Sequence, residues 1–135
     1  MTTIIGIDFG VKHIGVAVSD PDRKIAFPLG TFDVDSLDEG VKNIAKLCVE
    51  RNAKQLVIGL PKNLENTETS LTKKVQFFAK KIELLWSGEI FFFDERWSTK
   101  QAEKMIKNKR NKRKNKKGID EISAQIILQN YLDSF

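Results

Sequence analysis

One stretch near the start limits the possible folds more than any other. Ile4-Ile5-Gly6-Ile7 delivers a single carboxylate, Asp8, followed by Phe9-Gly10, and a second apolar run, Ile14-Gly15-Val16-Ala17-Val18, begins a few residues later. Short apolar runs bounded by glycine read as buried strands. Two of them this close read as a hairpin with Gly10 to His13 as the turn. Asp8 is the odd residue. A carboxylate in a buried strand must be hydrogen-bonded, neutralised or bound to a cation, because an uncompensated ion there is costly. A satisfied structural aspartate near a strand end and a functional acid are both consistent with the segment taken alone.

The rest of the chain reads as alternating elements. Strands are expected over 3–9 and 14–19, and a third over Lys24 to Phe32, where Pro28 argues for an edge position or a bulge. Asp33-Val34-Asp35 reads as a connection. Ser36-Leu37-Asp38-Glu39 has capping-box spacing, and Leu37, Val41, Ile44, Ala45, Cys48 and Val49 follow at helical spacing to about Arg51. Gln55 to Leu60 is apolar almost throughout, as a strand covered on both faces would be. Pro61 ends it, and Lys62 to Thr69 is a polar loop. Leu71, Val75, Phe78, Ala79, Ile82, Leu85 and Trp86 mark one face of a helix. Ile90 to Phe93 is a further buried strand, ending in Asp94-Glu95-Arg96. Ser98 can cap a helix to about Lys107. A basic block follows, closed by Gly118, and Asp120 to Leu132 reads as the last helix, with Asp120 in its first turn. Three leading strands and then alternating helix and strand imply a mixed sheet with helices on both faces.

Size and charge narrow the class. At 135 residues, 41% hydrophobic and 30% charged, the chain suits one globular domain spanning 1–135. A single cysteine gives no disulfide framework and no thiolate metal site, and Cys48 reads as core. No stretch approaches the roughly 18 apolar residues of a membrane span, and no signal-peptide pattern opens the chain. A cytoplasmic protein with no membrane partner is expected. The net charge is +5, yet Lys107 to Lys117 alone carries eight Lys or Arg and no acid, leaving 5 − 8 = −3 for the remainder. Such a block is either a solvated segment or a polyanion-binding loop.

Three acids fall at element ends: Asp8, then Asp94 or Glu95, then Asp120. Ligands of open α/β sheets collect at strand ends. Carboxylates that converge there repel unless a cation neutralises them, and oxygen donors select Mg²⁺ or Mn²⁺. Two such ions about 3.5–4 Å apart can activate water and stabilise a leaving oxygen on a phosphodiester. Each acid also has a bland reading. Asp120 can simply favour a helix N-terminus, and Asp94 or Glu95 can pair with Arg96. With one His and one Cys, no nucleophilic triad competes.

The chain resembles the YqgF family, the pre-16S rRNA nucleases also described as Holliday-junction-resolvase-like. The resemblance lies in Asp8-Phe9-Gly10-Val11-Lys12-His13-Ile14-Gly15-Val16-Ala17, in Ile58-Gly59-Leu60-Pro61, in Asp94-Glu95-Arg96-Trp97-Ser98-Thr99, and in Ile119-Asp120 through Ala124, Ile127, Leu128, Gln129, Tyr131 and Leu132, with a basic loop before the last helix. Any one of these motifs is weak, but four in order over nearly the whole chain are strong. The resemblance implies an RNase H-like fold of the RuvC type and metal-dependent cleavage of nucleic acid. It makes Asp8, Glu95 and Asp120 the catalytic, metal-binding acids, with Asp94 the less certain neighbour because adjacent strand residues face opposite ways. Contacts to nucleic acid are expected from Lys12, His13, Arg96, Thr99, Lys109, Arg110, Lys112, Arg113, Lys114, Lys116 and Lys117. Three features depart from the family pattern. His13 stands where the family usually has Arg, the 63–69 loop is poorer in glycine, and Ser123 replaces a common Ala.

The expected function is maturation of the 5′ end of pre-16S rRNA by a Mg²⁺- or Mn²⁺-dependent endonuclease. It would act on ribosomal particles, as a monomer or weak homodimer. Resolution of branched DNA is the alternative substrate. A non-catalytic nucleic-acid-binding module in transcription or ribosome assembly is the alternative class, since the basic block alone would serve it. The Asp-x-Gly of the opening hairpin also occurs in ATPases of the actin and sugar-kinase type, but these need a second domain for which 135 residues leave no room.

Overall fold

The computed structural model describes residues 2–10, 12–60, 70–94 and 116–134, with side chains at all of these except 60, 70, 71, 94 and 116–120. The described strands are β1 (Thr3–Phe9), β2 (His13–Ser19), β3 (Ala26–Asp33), β4 (Ala53–Leu60) and β5 (Glu89–Asp94). They form one sheet in the order β3-β2-β1-β4-β5. β2 runs antiparallel to its neighbours β1 and β3, while β4 runs parallel to β1 and β5 parallel to β4. Three helices are described: α1 (Leu37–Glu50), α2 (Ser70–Leu85) and α3 (Lys116–Asp133). This is the expected mixed sheet with three leading antiparallel strands.

The central strand is the opening stretch of the sequence. Ile5, Ile7 and Phe9 point to one side, into a core shared with Ile44 and Cys48 of α1 and Phe78 and Ile82 of α2. Phe9 and Phe78 pack as a tilted aromatic pair with ring centroids 4.9 Å apart. Burying a side chain such as Phe78 contributes about 1.5–3 kcal/mol. The same core encloses Cys48, whose thiol burial pushes up to about 12. On the other side, Ile4 meets Ala124, Ile127, Leu128 and Leu132 of α3, together with Val57 of β4. Gly6 lies at this contact, and a Cβ there would sit 2.7 Å from the Leu128 Cβ. The missing side chain lets α3 cross β1 closely.

Local chemistry sets the element ends. The Ser36 hydroxyl accepts the Glu39 N–H at 3.2 Å, and the Glu39 carboxylate accepts the N–H of Asp35, also at 3.2 Å. That is a capping box reaching back one residue further than usual. α1 is followed by Asn52 in the left-handed region at φ 53°, a conformation asparagine tolerates. β3 is an edge strand and also carries a bulge. Ala17 pairs with Pro28 but Val16 pairs with Gly30, so Leu29 is the additional residue. Proline has no N–H to give the ladder, and a bulge at an edge accommodates it. The start of β3 is held from α3. Gln129 Oε1 accepts the Ala26 N–H at 2.9 Å, and Gln125 Nε2 donates to the Ala26 carbonyl at 3.2 Å.

Two expectations need correction. The last helix begins at Lys116, four residues before Asp120, and Gly118 lies inside it instead of closing the basic block. Helix propensity penalises one glycine by only about 1 kcal/mol, which the rest of an 18-residue helix outweighs. Asp33 belongs to β3, not to a connection, and that strand starts at Ala26. The helix expected from Ser98 to Lys107 and most of the basic block lie outside the described residues. Among those described, no helix is long and apolar enough to cross a membrane.

Candidate active site

The parallel strands β1, β4 and β5 all end at one edge of the sheet, and Asp8 sits there. Strand alternation separates it from Ile7 and Phe9. Asp8 shares the α3 side with Ile4 and Gly6 and is partly buried. Its neighbours in register are glycines on both sides, Gly15 of β2 and Gly59 of β4. The next residues outward in the same row are Thr31 of β3 and Phe93 of β5. The carboxylate therefore stands in a row where neither adjacent strand contributes a side chain. A valine or leucine at either position would instead set a branched side chain against the carboxylate.

Of the three expected acids, Asp8 alone has a described side chain. Asp120 lies in α3, and its position is one turn before Ala124, whose carbonyl would be 3.4 Å from a Cβ at Gly6. The register of β5 reaches the Asp8 row at Phe93, so Asp94 falls one residue past that row, opposite Leu60. Glu95, Arg96 and Thr99 lie outside the described residues, as do Lys109, Arg110, Lys112, Arg113 and Lys114. Lys116 and Lys117 open α3. Among the described residues, no three acidic, His or Cys side chains cluster as a metal site.

The turn beside Asp8 is built on a close approach. A Cβ at Gly10 would lie 2.5 Å from the His13 carbonyl oxygen, so only glycine fits. Lys12 is exposed at the turn, and its carbonyl accepts the Val34 N–H at 2.9 Å. His13 starts β2 and is directly opposite Asp33, the last residue of β3. Its Nδ1 lies 2.7 Å from Asp33 Oδ1. Both share the Asp8 side of the sheet, because His13 is two residues from Gly15, which pairs with Asp8. The sequence reading overlooked Asp33. Counting back from the turn, Ser19 pairs with Ala26, and uninterrupted pairing would set Phe32 opposite His13. The bulge at Leu29 shifts the register by one and substitutes Asp33. Pro28 was the available signal.

Comparison with known proteins bears on the family and the fold. The profile of the RuvX family, described as Holliday junction resolvase, matches residues 2–134. A protein of Dictyoglomus turgidum described as a candidate pre-16S rRNA nuclease is 37% identical over 132 residues, covering 97% of this chain and 94% of its own. One of Streptococcus uberis with the same description is 38% identical over 137 residues, covering 96% of each. Among solved structures, fowlpox virus resolvase with Holliday junction DNA superposes with a TM-score of 0.65 at 14% identity, covering 98% of both chains. Thermus thermophilus RuvC with its junction substrate gives 0.64 at 13% identity, covering 99% of this chain and 95% of the other. At such identities the superpositions establish the fold, which is RNase H-like. With the acid-bearing central strand, the strand order and nearly every residue accounted for in one profile, the chain belongs to the RuvX family.

Proposed function

We propose that this protein is a metal-dependent endonuclease that hydrolyses phosphodiester bonds at the sheet edge holding Asp8, and that its task in the cytoplasm is to mature the 5′ end of pre-16S rRNA. The observation that carries the reading is Asp8 itself. It is a partly buried carboxylate on the central strand, flanked in register by Gly15 and Gly59, in a chain of the RuvX family. Relatives across nearly the full length are described as candidate pre-16S rRNA nucleases, which favours RNA as the substrate.

Asp8 fits a hard cation by the chemistry of its oxygen donors. Asp8, Glu95 and Asp120 are the residues that would hold it. When bound, Mg²⁺ or Mn²⁺ supplies charge neutralisation at the phosphate and makes water acidic enough to attack phosphorus. The protein's own contribution is placement. β1 fixes one acid on a strand that cannot shift without disrupting the core, and α3 carries another across that face. Lys12 and His13 at the turn, Arg96 and Thr99 after β5, and Lys109, Arg110, Lys112, Arg113, Lys114, Lys116 and Lys117 hold flanking phosphates. If all eight charges of the 107–117 block engaged single-stranded RNA, the log–log salt slope would be about −0.7 × 8, roughly −6. Fewer contacts give a shallower slope.

The family description, Holliday junction resolvase, favours branched DNA as a second substrate reading. The deciding experiment presents a 16S precursor fragment and a four-way junction side by side to wild type and Asp8→Asn, with Mg²⁺ or Mn²⁺. Cleavage of the precursor by wild type alone supports the proposal. Cleavage of the junction alone transfers it to DNA. Undiminished cleavage by Asp8→Asn overturns the assignment of Asp8. No cleavage of either substrate by wild type leaves a binding module.

A further inference from the structure

We propose that Asp33 is a positioning residue for substrate binding, holding His13 by Nδ1 so that Nε2 is the ring nitrogen offered to the phosphate backbone. The inference rests on the nuclease reading above and adds a residue to its binding surface.

Four observations support it. The two side chains are a directly opposed cross-strand pair with a contact of 2.7 Å. They lie at the same sheet edge and on the same side as Asp8, and His13 is diagonal to Asp8 across the β1–β2 pair. Diagonal positions of this kind are about 7–8 Å apart, which puts the imidazole within reach of a strand whose phosphate meets Asp8. The pair is open to that strand, with side-chain exposures of 34% for His13 and 57% for Asp33. Finally, an exposed carboxylate beside a polyanion site should weaken binding unless it serves another group there. Here it does: a carboxylate accepting Nδ1–H fixes the tautomer and the ring plane, as carboxylates do for histidines that contact ligands through Nε2. A purely structural role is a poor account, since an exposed pair of this kind adds little to stability.

The sign of the effect separates the two accounts. In an Asp8→Asn background, which blocks cleavage, the affinity of a labelled 16S-precursor RNA fragment and of a labelled four-way junction is measured by fluorescence anisotropy. Positioning predicts that Asp33→Ala weakens binding about five-fold, the order expected from the loss of one ordinary hydrogen bond. Asp33→Asn keeps an acceptor for Nδ1–H and should stay near the parent affinity. The double variant His13→Ala/Asp33→Ala should bind no more weakly than His13→Ala alone. With Asp8 intact, the loss in Asp33→Ala should appear in KM and not in kcat. If Asp33 is merely a surface acid, both Asp33 variants tighten binding equally, and that result overturns the proposal. So does unchanged affinity in Asp33→Ala, or losses that add in the double variant. A parent that binds neither probe overturns the nuclease reading, and the role of Asp33 with it, whereas a parent that binds while Asp33→Ala tightens removes only the latter. Circular dichroism and thermal melting of each variant confirm that folded protein is being compared.

Discussion

The two sides of the sheet are built differently. Toward α1 and α2 the strands present Ile5, Ile7, Phe9, Ile14, Val16, Leu56 and Ile58, all buried large side chains meeting Ile44, Phe78 and Ile82. Toward α3 the same strands present Ile4, Gly6, Asp8, Gly15, Ala17 and Val57. The first side carries the large buried side chains; the second carries small residues toward the edge where the strands end. One helix approaches closely because Gly6 permits it, and one acid stands between two glycines. The large buried side chains are concentrated on one side and the proposed site on the other, with the single strand β1 contributing to both.

Substitutions on the two sides should therefore separate folding from activity. The largest effect is expected from Asp8→Asn, which should remove cleavage to below detection while the melting temperature stays close to wild type, as read by gel assay and calorimetry. Phe78→Ala on the opposite side should do the reverse. Loss of a fully buried aromatic costs about 3–5 kcal/mol, read as a shift of the urea midpoint, while the protein that remains folded should still cleave. Activity lost in Phe78→Ala beyond its unfolded fraction would break the separation. Gly6→Ala tests the contact between the sides. Its methyl would meet the Leu128 Cβ at 2.7 Å, so α3 must move, at about 1–3 kcal/mol. Because α3 carries Asp120, cleavage should fall by more than the loss of stability explains.

Smaller effects sharpen the picture. Ser123 is fully buried on α3, and its hydroxyl finds no hydrogen-bond partner among the described residues. Ser123→Ala should stabilise the protein by about 1 kcal/mol, since an unsatisfied buried hydroxyl carries a desolvation cost that the methyl lacks. Thermal melting checks it. Cys48, on the buried face of α1 with its thiol pushed up to about 12, should resist alkylation at neutral pH in the native state and react once the chain is unfolded. Rapid labelling of the native protein would mean that the α1 and α2 side opens readily.

Much of this was legible in the residues. Short apolar runs rich in β-branched residues and flanked by glycine or proline read as buried strands, so β1, β2 and β4 follow from local pattern. Ser36 and Glu39 announced the start of α1 because capping chemistry is local. Pro28 announced an edge and a bulge because proline lacks an N–H. The boundaries of α3 were harder to read. Gly118 looked like a terminus, but α3 packs across β1, β2 and β3, and tertiary contact outweighs one unfavourable residue in a long helix.

The sequence by itself determined that Asp8 lies within a buried strand and that the chain has the motifs of one nuclease family, because apolar runs and their spacing are local properties. Only the tertiary structure decided what stands beside Asp8. Strand order and register set Gly15 and Gly59 on its two sides, and pairing partners come from distant parts of the chain. The same holds for His13. Its partner depends on one additional residue in β3, which moves the register by a single position and exchanges Phe32 for Asp33. Side chains alternate across a strand with a period of two, so a one-residue shift replaces an apolar neighbour with a carboxylate.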